Sequence, residues 1–177
     1  MLQRNPSGNN PEIDNTAYIH PSAVIIGNVV IGKNVFVGPG AVIRADEQSS
    51  SILIQDNCNI QDRVIIHALE NSSVTIEQNS SLAHGCIVHG PCKIARNCFI
   101  GFGSIVFKAE IGEGVVIKHL AVVEGVIIPP ERVVESTQLI NNDNDVKGLK
   151  FTENDLKIFS KKVVEVNLNL AKSYRDA

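Results

Sequence analysis

An aliphatic side chain recurs at every sixth position over most of this 177-residue chain. The first run is formed by Ile19, Ile25, Ile31, Val37 and Ile43. The same period resumes at position 54 and continues, with a few altered steps, to position 123. A period of six matches neither the 3.6-residue period of an amphipathic helix nor the two-residue alternation of a half-buried strand. It is typical of hexapeptide β-helices, in which three short strands complete a coil and the aliphatic side chains stack inside. The sequence therefore predicts an all-β fold, a parallel β-helix of hexapeptide repeats.

Changes in composition divide the chain into four segments. Residues 1–15 are polar and predict a loosely held N-terminal arm, residues 16–140 carry the repeat and predict the β-helix domain, and residues 141–151 predict a polar linker. Residues 152–174 predict a C-terminal α-helix, packed on the β-helix or on another subunit, because its apolar side chains are spaced three and four residues apart. This stripe is formed by Leu156, Phe159, Val163, Val166 and Leu170. Thr152 and Asp155 have the spacing of a capping box at the start of this helix.

Charge and hydropathy exclude several classes of partner. The net charge is −3 and the sequence has no basic cluster, so we expect no nucleic-acid partner. No apolar run approaches the roughly 18 residues of a membrane span, and the first residues lack the apolar core of a signal peptide. We therefore expect a cytoplasmic protein that does not associate with a membrane.

The four cysteines each follow a repeat aliphatic by four residues, which is the position of small inward side chains in this repeat. They are Cys58, Cys86, Cys92 and Cys98. Free cysteine is a common small buried hydrophobe, and no CxxC pair indicates a metal site. We predict four buried free thiols with no role in a disulfide or a metal site.

Three of the five histidines lie close together in the sequence, between positions 67 and 89. Counting hexapeptides, with each long step taken as one hexapeptide plus a loop, places Arg44, His67 and His89 in one outward-facing column of successive coils. Two imidazoles one strand spacing apart need only a modest lean to reach the roughly 3.4 Å nitrogen separation of a tetrahedral zinc site. His84 follows Leu82 on the preceding face, so a corner separates it from His89 within one chain.

A threefold homotrimer would solve this problem, because His84 of a neighbouring copy could meet His67 and His89 across an interface. Three histidines with a fourth position open to water predict a catalytic site for Zn²⁺, while Fe²⁺ and Co²⁺ also suit such a ligand set. We further expect Arg44 and Asp62 to meet across the same interface. The other two histidines, His20 and His119, are expected to be ordinary surface or packing residues.

Several strings in the sequence resemble the gamma-class carbonic anhydrases over almost all of residues 11–177. They are TAYIHPSAVIIGNVVIG, IRADE, NIQDRVIIHALE, SLAHGCIVHGP, FIGFGSIVFKAEIG and VVEVNLNLAKSY. The resemblance implies a left-handed β-helix, a homotrimer, and a zinc or iron ion at each subunit interface. It also implies reversible hydration of CO2 to bicarbonate and a proton, because a bound metal lowers the pKa of water to near 7 and makes hydroxide available.

The resemblance assigns roles to individual residues. The histidines 67, 84 and 89 match the metal ligands, and Arg44, Asp46 and Asp62 match the interface set. Gln61 matches the residue that orients the hydroxide, Asn59 a polar residue beside it, and Asn167 the residue that orients CO2 or bicarbonate. Glu47 matches a retained carboxylate of the site.

Two departures from the family pattern bear on proton transfer. The chain lacks the long acidic loop that follows HALE in the archetype, so we expect slower proton transfer than in the archetype. Glu165 stands where the archetype has a tyrosine, and we expect this added charge to act on the pocket or to take over part of the proton transfer.

Two other functions remain open from the sequence. A hexapeptide acyltransferase would use one histidine as a general base and bind a CoA thioester between subunits without a metal. A non-catalytic scaffold or assembly protein could keep the trimer, and even the metal, without turnover.

Overall fold

A computed structural model describes residues 1–176, which form 23 short strands and two helices. The strands are β1 (Leu2–Gln3), β2 (Glu12–Ile13), β3 (Tyr18–Ile19), β4 (Val24–Gly27), β5 (Val29–Ile31), β6 (Phe36–Val37), β7 (Val42–Ala45), β8 (Ser51–Ile54), β9 (Asn59–Ile60), β10 (Ile65–His67), β11 (Ser73–Ile76), β12 (Ser81–Leu82), β13 (Ile87–His89), β14 (Cys92–Ile94), β15 (Phe99–Ile100), β16 (Ile105–Phe107), β17 (Glu110–Ile111), β18 (Val116–Ile117), β19 (Val122–Glu124), β20 (Ile127–Ile128), β21 (Arg132–Val134), β22 (Leu139–Ile140) and β23 (Lys150–Phe151). The helices are α1 (Asp143–Lys147) and α2 (Asn154–Arg175).

The strands wind into three sheets in which every third strand along the chain is a neighbour. Sheet A has the order β1-β4-β7-β10-β13-β16-β19-β22, and sheet B runs from β2 to β20 in the same manner. Sheet C runs from β3 to β21 and ends with β23, which is the antiparallel partner of β21. The predicted all-β fold, a left-handed parallel β-helix of hexapeptide repeats with a C-terminal helix, is confirmed.

The inside of the coil is formed by the aliphatic column that the period of six predicts. From Ile25 to Val123 the side chains of this column are at most 2% exposed. All four cysteines are free and buried among them, as predicted. Burial also raises the pKa of these thiols, to about 12 for Cys58 and Cys98. A thiol that stays protonated is a poor nucleophile and a poor metal ligand, so these residues contribute packing and not chemistry.

The corners that lead from sheet C to sheet A stack in strict register through backbone hydrogen bonds. The carbonyl oxygens of successive coils accept from Gly85, Gly103, Leu120 and Thr137 at 2.9, 3.1, 2.9 and 2.9 Å. These carbonyls belong to four residues that we call the corner column: Asp62, His84, Phe102 and His119. Each coil therefore contributes one side chain to the same edge of the β-helix.

The ends of the chain differ from the sequence prediction. Residues 1–15 are not a loose arm, because β1 pairs with β4 and β2 pairs with β5, so these residues form most of the first coil. Residues 141–151 are more than a linker, since α1 and β23 cover the other end of the coil, where Leu149 and Val146 pack on the core. Short polar sequences of this kind carry no six-residue period, because each contributes only one strand or one turn.

Helix α2 lies along the outer face of sheet C and begins at residue 154, two residues later than predicted. Leu156 and Val163 pack on a small cluster of sheet C side chains, as the apolar stripe predicts. The other three residues of the stripe, Phe159, Val166 and Leu170, are exposed in a single copy, although the Phe159 ring lies 5.3 Å from that of Phe99; their predicted packing against another subunit stays a prediction. The residues that α2 buries are Ser160, Val164, Asn167 and Ala171.

The predicted capping box is also absent from the start of α2. Glu153 occupies the N-cap position and makes no side-chain cap hydrogen bond. Thr152 is buried and donates instead to the carbonyl oxygen of Gly114 at 3.3 Å. This contact anchors the start of the helix to the β-helix, so the threonine serves packing between the two elements.

Candidate functional site

His67 and His89 are neighbours on the outer face of sheet A. The backbone pairing sets His67 beside Arg44 on one side and beside His89 on the other, which confirms the register counted from the sequence. His67 Nδ1 lies 3.0 Å from His89 Nε2, and the two rings meet edge to face. His67 Nε2 and His89 Nδ1 are buried without a hydrogen-bond partner in the described chain. The two nitrogens that face each other are close to the roughly 3.4 Å separation of two ligands on one tetrahedral zinc ion, so the pair fits the donor set of a divalent metal.

Two carboxylates from the loop after β7 flank the buried side of His67. Glu47 Oε1 and Asp46 Oδ1 lie 3.4 and 3.5 Å from its Nε2. Glu47 is held by the backbone N–H of Glu70, which donates to its Oε2 at 2.6 Å. Burial lowers the pKa of His67. The neighbouring Arg44 and His89 lower this pKa further, whereas Glu47 and Asp46 raise it. A neutral imidazole is the form that binds a metal.

His84 lies apart from this pair, on the corner column. Its Nδ1 is 3.5 Å from Asp62 Oδ2, and its ring is 5.5 Å from the ring of Phe102. Within residues 1–176 of a single copy, no group of three His, Cys, Asp or Glu side chains is placed to hold a metal. The structure thus brings together two of the three predicted ligands and leaves the third exposed at a different edge.

Gln61 and Asn59 form a buried chain of amides beside His84. Asn59 Nδ2 donates to Ser81 Oγ at 2.5 Å, and Gln61 Nε2 donates to Asn59 Oδ1 at 3.0 Å. Gln61 Oε1 has no partner and is buried. Gln61 lines a cavity of about 400 Å³ together with His84 and with Asn167 from α2. Gln61 thus borders this cavity, and its Oε1 is the acceptor that the network leaves without a partner.

Asn167 is one of the α2 residues buried against the β-helix. It is 8% exposed, and its Nδ2 donates to the carbonyl oxygen of Val163 at 2.8 Å. The Asn167 amide therefore uses a donor within the helix and keeps its oxygen for the cavity.

The structure corrects the expectation for Glu165. This residue lies on the opposite side of α2 and lines a different groove, with Lys157 and Lys161. Side chains two positions apart on an α-helix point in directions about 200° apart. Glu165 is two positions before Asn167 and therefore faces away from the cavity that Asn167 lines. Glu165 does not take part in the cavity beside His84.

Arg44 lies where the sequence predicts, at the outward face of β7. Within one copy it pairs with Asp46, at 3.2 Å between Nε and Oδ2. Asp62 is on the corner column, so the predicted Arg44–Asp62 contact would join two copies.

Two further residues of this region, Ser81 and Lys162, were not predicted from the sequence. Ser81 pairs with Asn59 between adjacent strands of sheet C, so counting hexapeptides along sheet C would have found it. Lys162 also lines the cavity beside His84 and Gln61. No sequence signal indicated it, because which side of a helix faces a cavity depends on how the helix packs.

Neither helix of the described residues is long and apolar enough to cross a membrane.

The sequence of this chain is similar to a known family model and to known proteins. A family model described as bacterial transferase hexapeptide (six repeats) matches residues 10–45 and 73–108. A carbonic anhydrase of Methanosarcina thermophila is 35% identical over 97% of this chain and 78% of its own length. The carboxysome assembly protein CcmM of a Nostoc species is 36% identical over 92% of this chain, which spans only 31% of that longer protein.

Among solved structures, a hexapeptide transferase family protein from Anaplasma phagocytophilum has a TM-score of 0.80. It is 27% identical, and the alignment covers 98% of this chain and 97% of the other. The relatives thus share one repeat and one fold while their names describe different functions. The six-residue repeat, the three-sheet coil and these relatives show that the chain belongs to the hexapeptide-repeat family of left-handed β-helix proteins.

Proposed function

We propose that this protein is a gamma-class carbonic anhydrase, which hydrates CO2 reversibly to bicarbonate and a proton. The observation that carries the proposal is the pair of half-buried imidazoles, His67 and His89, whose facing nitrogens lie 3.0 Å apart. The 35% identity to the carbonic anhydrase of Methanosarcina thermophila, over 97% of this chain, supports the same reaction.

The active unit in this proposal is a homotrimer with each site shared between two copies. One copy supplies His67 and His89, and the next supplies His84 from its corner column. The Asp62 carboxylate beside His84 Nδ1 would hold that imidazole in one tautomer, with its other nitrogen free for a metal. A Zn²⁺, Fe²⁺ or Co²⁺ ion bound there would supply hydroxide at neutral pH by lowering the pKa of a coordinated water.

The residues of the chain itself then have distinct tasks. Gln61 enters the site from the same copy as His84, and its fixed Oε1 accepts a hydrogen bond from the nucleophilic water. Asn59 and Ser81 keep Gln61 in this orientation. Asn167 borders the same cavity and orients CO2 or bicarbonate. Glu47, beside His67 on the copy that supplies the histidine pair, is placed to take the proton that leaves the site.

A direct test combines metal analysis with kinetics. We expect anaerobically purified protein to contain about one metal ion per chain and to accelerate CO2 hydration in a stopped-flow assay. His84→Ala should lose both metal and activity, although His84 is outside the buried pair. Protein that binds no metal and does not accelerate hydration contradicts the proposal.

A second candidate function is assembly without turnover, which the 36% identity to the carboxysome assembly protein favours. In that case the same trimer would bind metal but would not accelerate hydration above the rate in buffer. The kinetic half of the experiment above separates the two functions.

A further inference from the structure

Two ladders of side chains run along neighbouring edges of the β-helix, with one side chain per coil in each. The first is the corner column, which is fixed by its backbone hydrogen bonds. The second lies on the outer face of sheet A, where strand pairing sets successive residues side by side. This face column consists of Arg44, His67, His89, Phe107 and Glu124. Both ladders rise by one strand spacing, about 4.8 Å, per coil.

We propose that His119 of one copy donates a hydrogen bond to Glu124 of the next copy, so that each trimer interface has a polar clasp two coils from its metal site. This inference rests on the proposed function, because the shared metal fixes the height at which the two ladders meet. No other contact between copies needs to be assumed.

The register of the two ladders across the interface follows from symmetry. A threefold axis parallel to the β-helix leaves the height of every coil unchanged, and both ladders have the same rise. When His84 of one copy lies between His67 and His89 of the next, each later rung of the corner column lies one coil higher on the face column. Two coils above His84, His119 therefore lies between Phe107 and Glu124 of the next copy.

The rungs that meet in this register are chemically matched. One coil below His84, Asp62 lies between Arg44 and His67 of the next copy, so the opposite charges of Asp62 and Arg44 meet below the metal. Above it, the 44% exposed Phe102 meets Phe107, so two aromatic side chains cover each other. A shift by one coil would set Phe102 against the carboxylate of Glu124 and would remove a ligand from the metal.

The side chains of the clasp are prepared for this contact. His119 Nδ1 accepts from the backbone N–H of Phe102 at 3.1 Å, and the two rings stack at 4.3 Å with an angle of 11°. The ring is thus fixed, and its Nε2 remains as the donor. Glu124 is exposed, and no hydrogen bond or ion pair engages its side chain within residues 1–176.

The other charges beside His119 are already paired. On the neighbouring position of the chain, Lys118 Nζ contacts Glu135 Oε2 at 2.6 Å. The remaining close neighbour of the ring is Phe99, whose ring centroid lies 6.5 Å away. Glu124 of the next copy is therefore the carboxylate left to meet His119.

Disulfide trapping tests the clasp on the full chain. The pair His119→Cys with Glu124→Cys should give a covalent trimer after mild oxidation, visible on a non-reducing gel. The two positions are separated by a corner within one chain, as His84 and His89 are, so a bond within a copy is not expected. The native thiols are buried and will not add to the background.

Three control variants test whether a crosslink reports the proposed register. Each single cysteine variant should give no covalent trimer, and neither should His119→Cys with Arg44→Cys, which joins the same ladders four coils out of register. Trimers that bind metal, but in which the clasp pair crosslinks no more than the offset pair, would overturn the clasp and leave the proposed function standing. Absence of both trimer and metal in the unmodified protein overturns both.

A charge exchange provides a second readout. Glu124→Lys should accelerate subunit exchange between tagged and untagged trimers by about threefold for each broken contact, because exposed ion pairs are weak. Adding His119→Glu should restore slow exchange, whereas His119→Glu alone should accelerate it. Single variants that exchange at the unmodified rate, or a double variant faster than both, would contradict the pairing.

Discussion

Mixing two inactive variants should restore activity if each site is shared between copies in the proposed way. The variant His84→Ala keeps the pair His67 and His89 intact, and the variant His67→Ala keeps His84. Each homotrimer lacks one ligand at every site and should be inactive. In a mixed trimer, however, one interface joins the intact pair of the first variant to the intact His84 of the second.

The expected recovery follows from counting interfaces in a closed ring of three. Whether a mixed trimer contains one or two copies of a given variant, only one of its three interfaces is complete. Random assembly of equal amounts makes about three quarters of the trimers mixed, so about a quarter of the sites are complete. Purification through both tags removes the unmixed trimers and raises the complete fraction to one site in three, so we expect about a third of the unmodified activity and metal content.

The assay is CO2 hydration by stopped flow after co-expression of the two variants with different tags and purification through both. A matched control is the mixture of His67→Ala with His89→Ala. No copy in that mixture has both members of the pair, so it should recover nothing. The shared site would be refuted if the mixed trimers formed but stayed at the level of this control, or if either variant were active alone.

Other predictions follow from the site and the core. Asn59→Ala should lower kcat about tenfold with unchanged metal content, because Gln61 loses the partner that orients it. Asn167→Ala should reduce CO2 hydration, whereas Glu165→Ala, on the opposite side of α2, should match the unmodified enzyme in the same assay. External imidazole should raise turnover, since the long acidic loop of the archetype is missing; fast turnover without added buffer would contradict this. Burial raises the pKa of all four thiols above its ordinary value, so the folded chain holds these protons more tightly than the unfolded chain. Urea unfolding should therefore show stability that is complete below about pH 9 and declines at higher pH; stability that stays constant up to about pH 11 would refute it.

The period of six was sufficient to predict the fold and the place of the histidine pair. Each coil repeats the same inward column, so counting from Ile43 through Ile66 to Val88 determined that Arg44, His67 and His89 share one face. The pairing of the strands follows this count residue by residue. Repetition makes such a prediction possible, because a wrong count in one coil would put the aliphatic residues of the next coil out of the column.

The parts that the sequence did not predict are those that occur once. The strands of residues 1–15 have no repeat before them to set a register. The rotation of α2 is decided by how Ser160, Val164 and Ala171 fit against sheet C, and small buried side chains leave little trace in an apolar pattern. For the same reason the direction of Glu165 could not be read from its neighbour Asn167.

The strands on both sides of residues 68–72 are paired with their neighbours. The geometry of the histidine pair therefore does not depend on the length of the loop between β10 and β11. His67 is fixed on His89 by sheet A, and the chain re-enters the coil at Ser73, where β11 pairs with β8 and β14. An insertion between these points would extend into solvent without moving either imidazole. The length of this segment can therefore change while the arrangement of the two imidazoles stays the same.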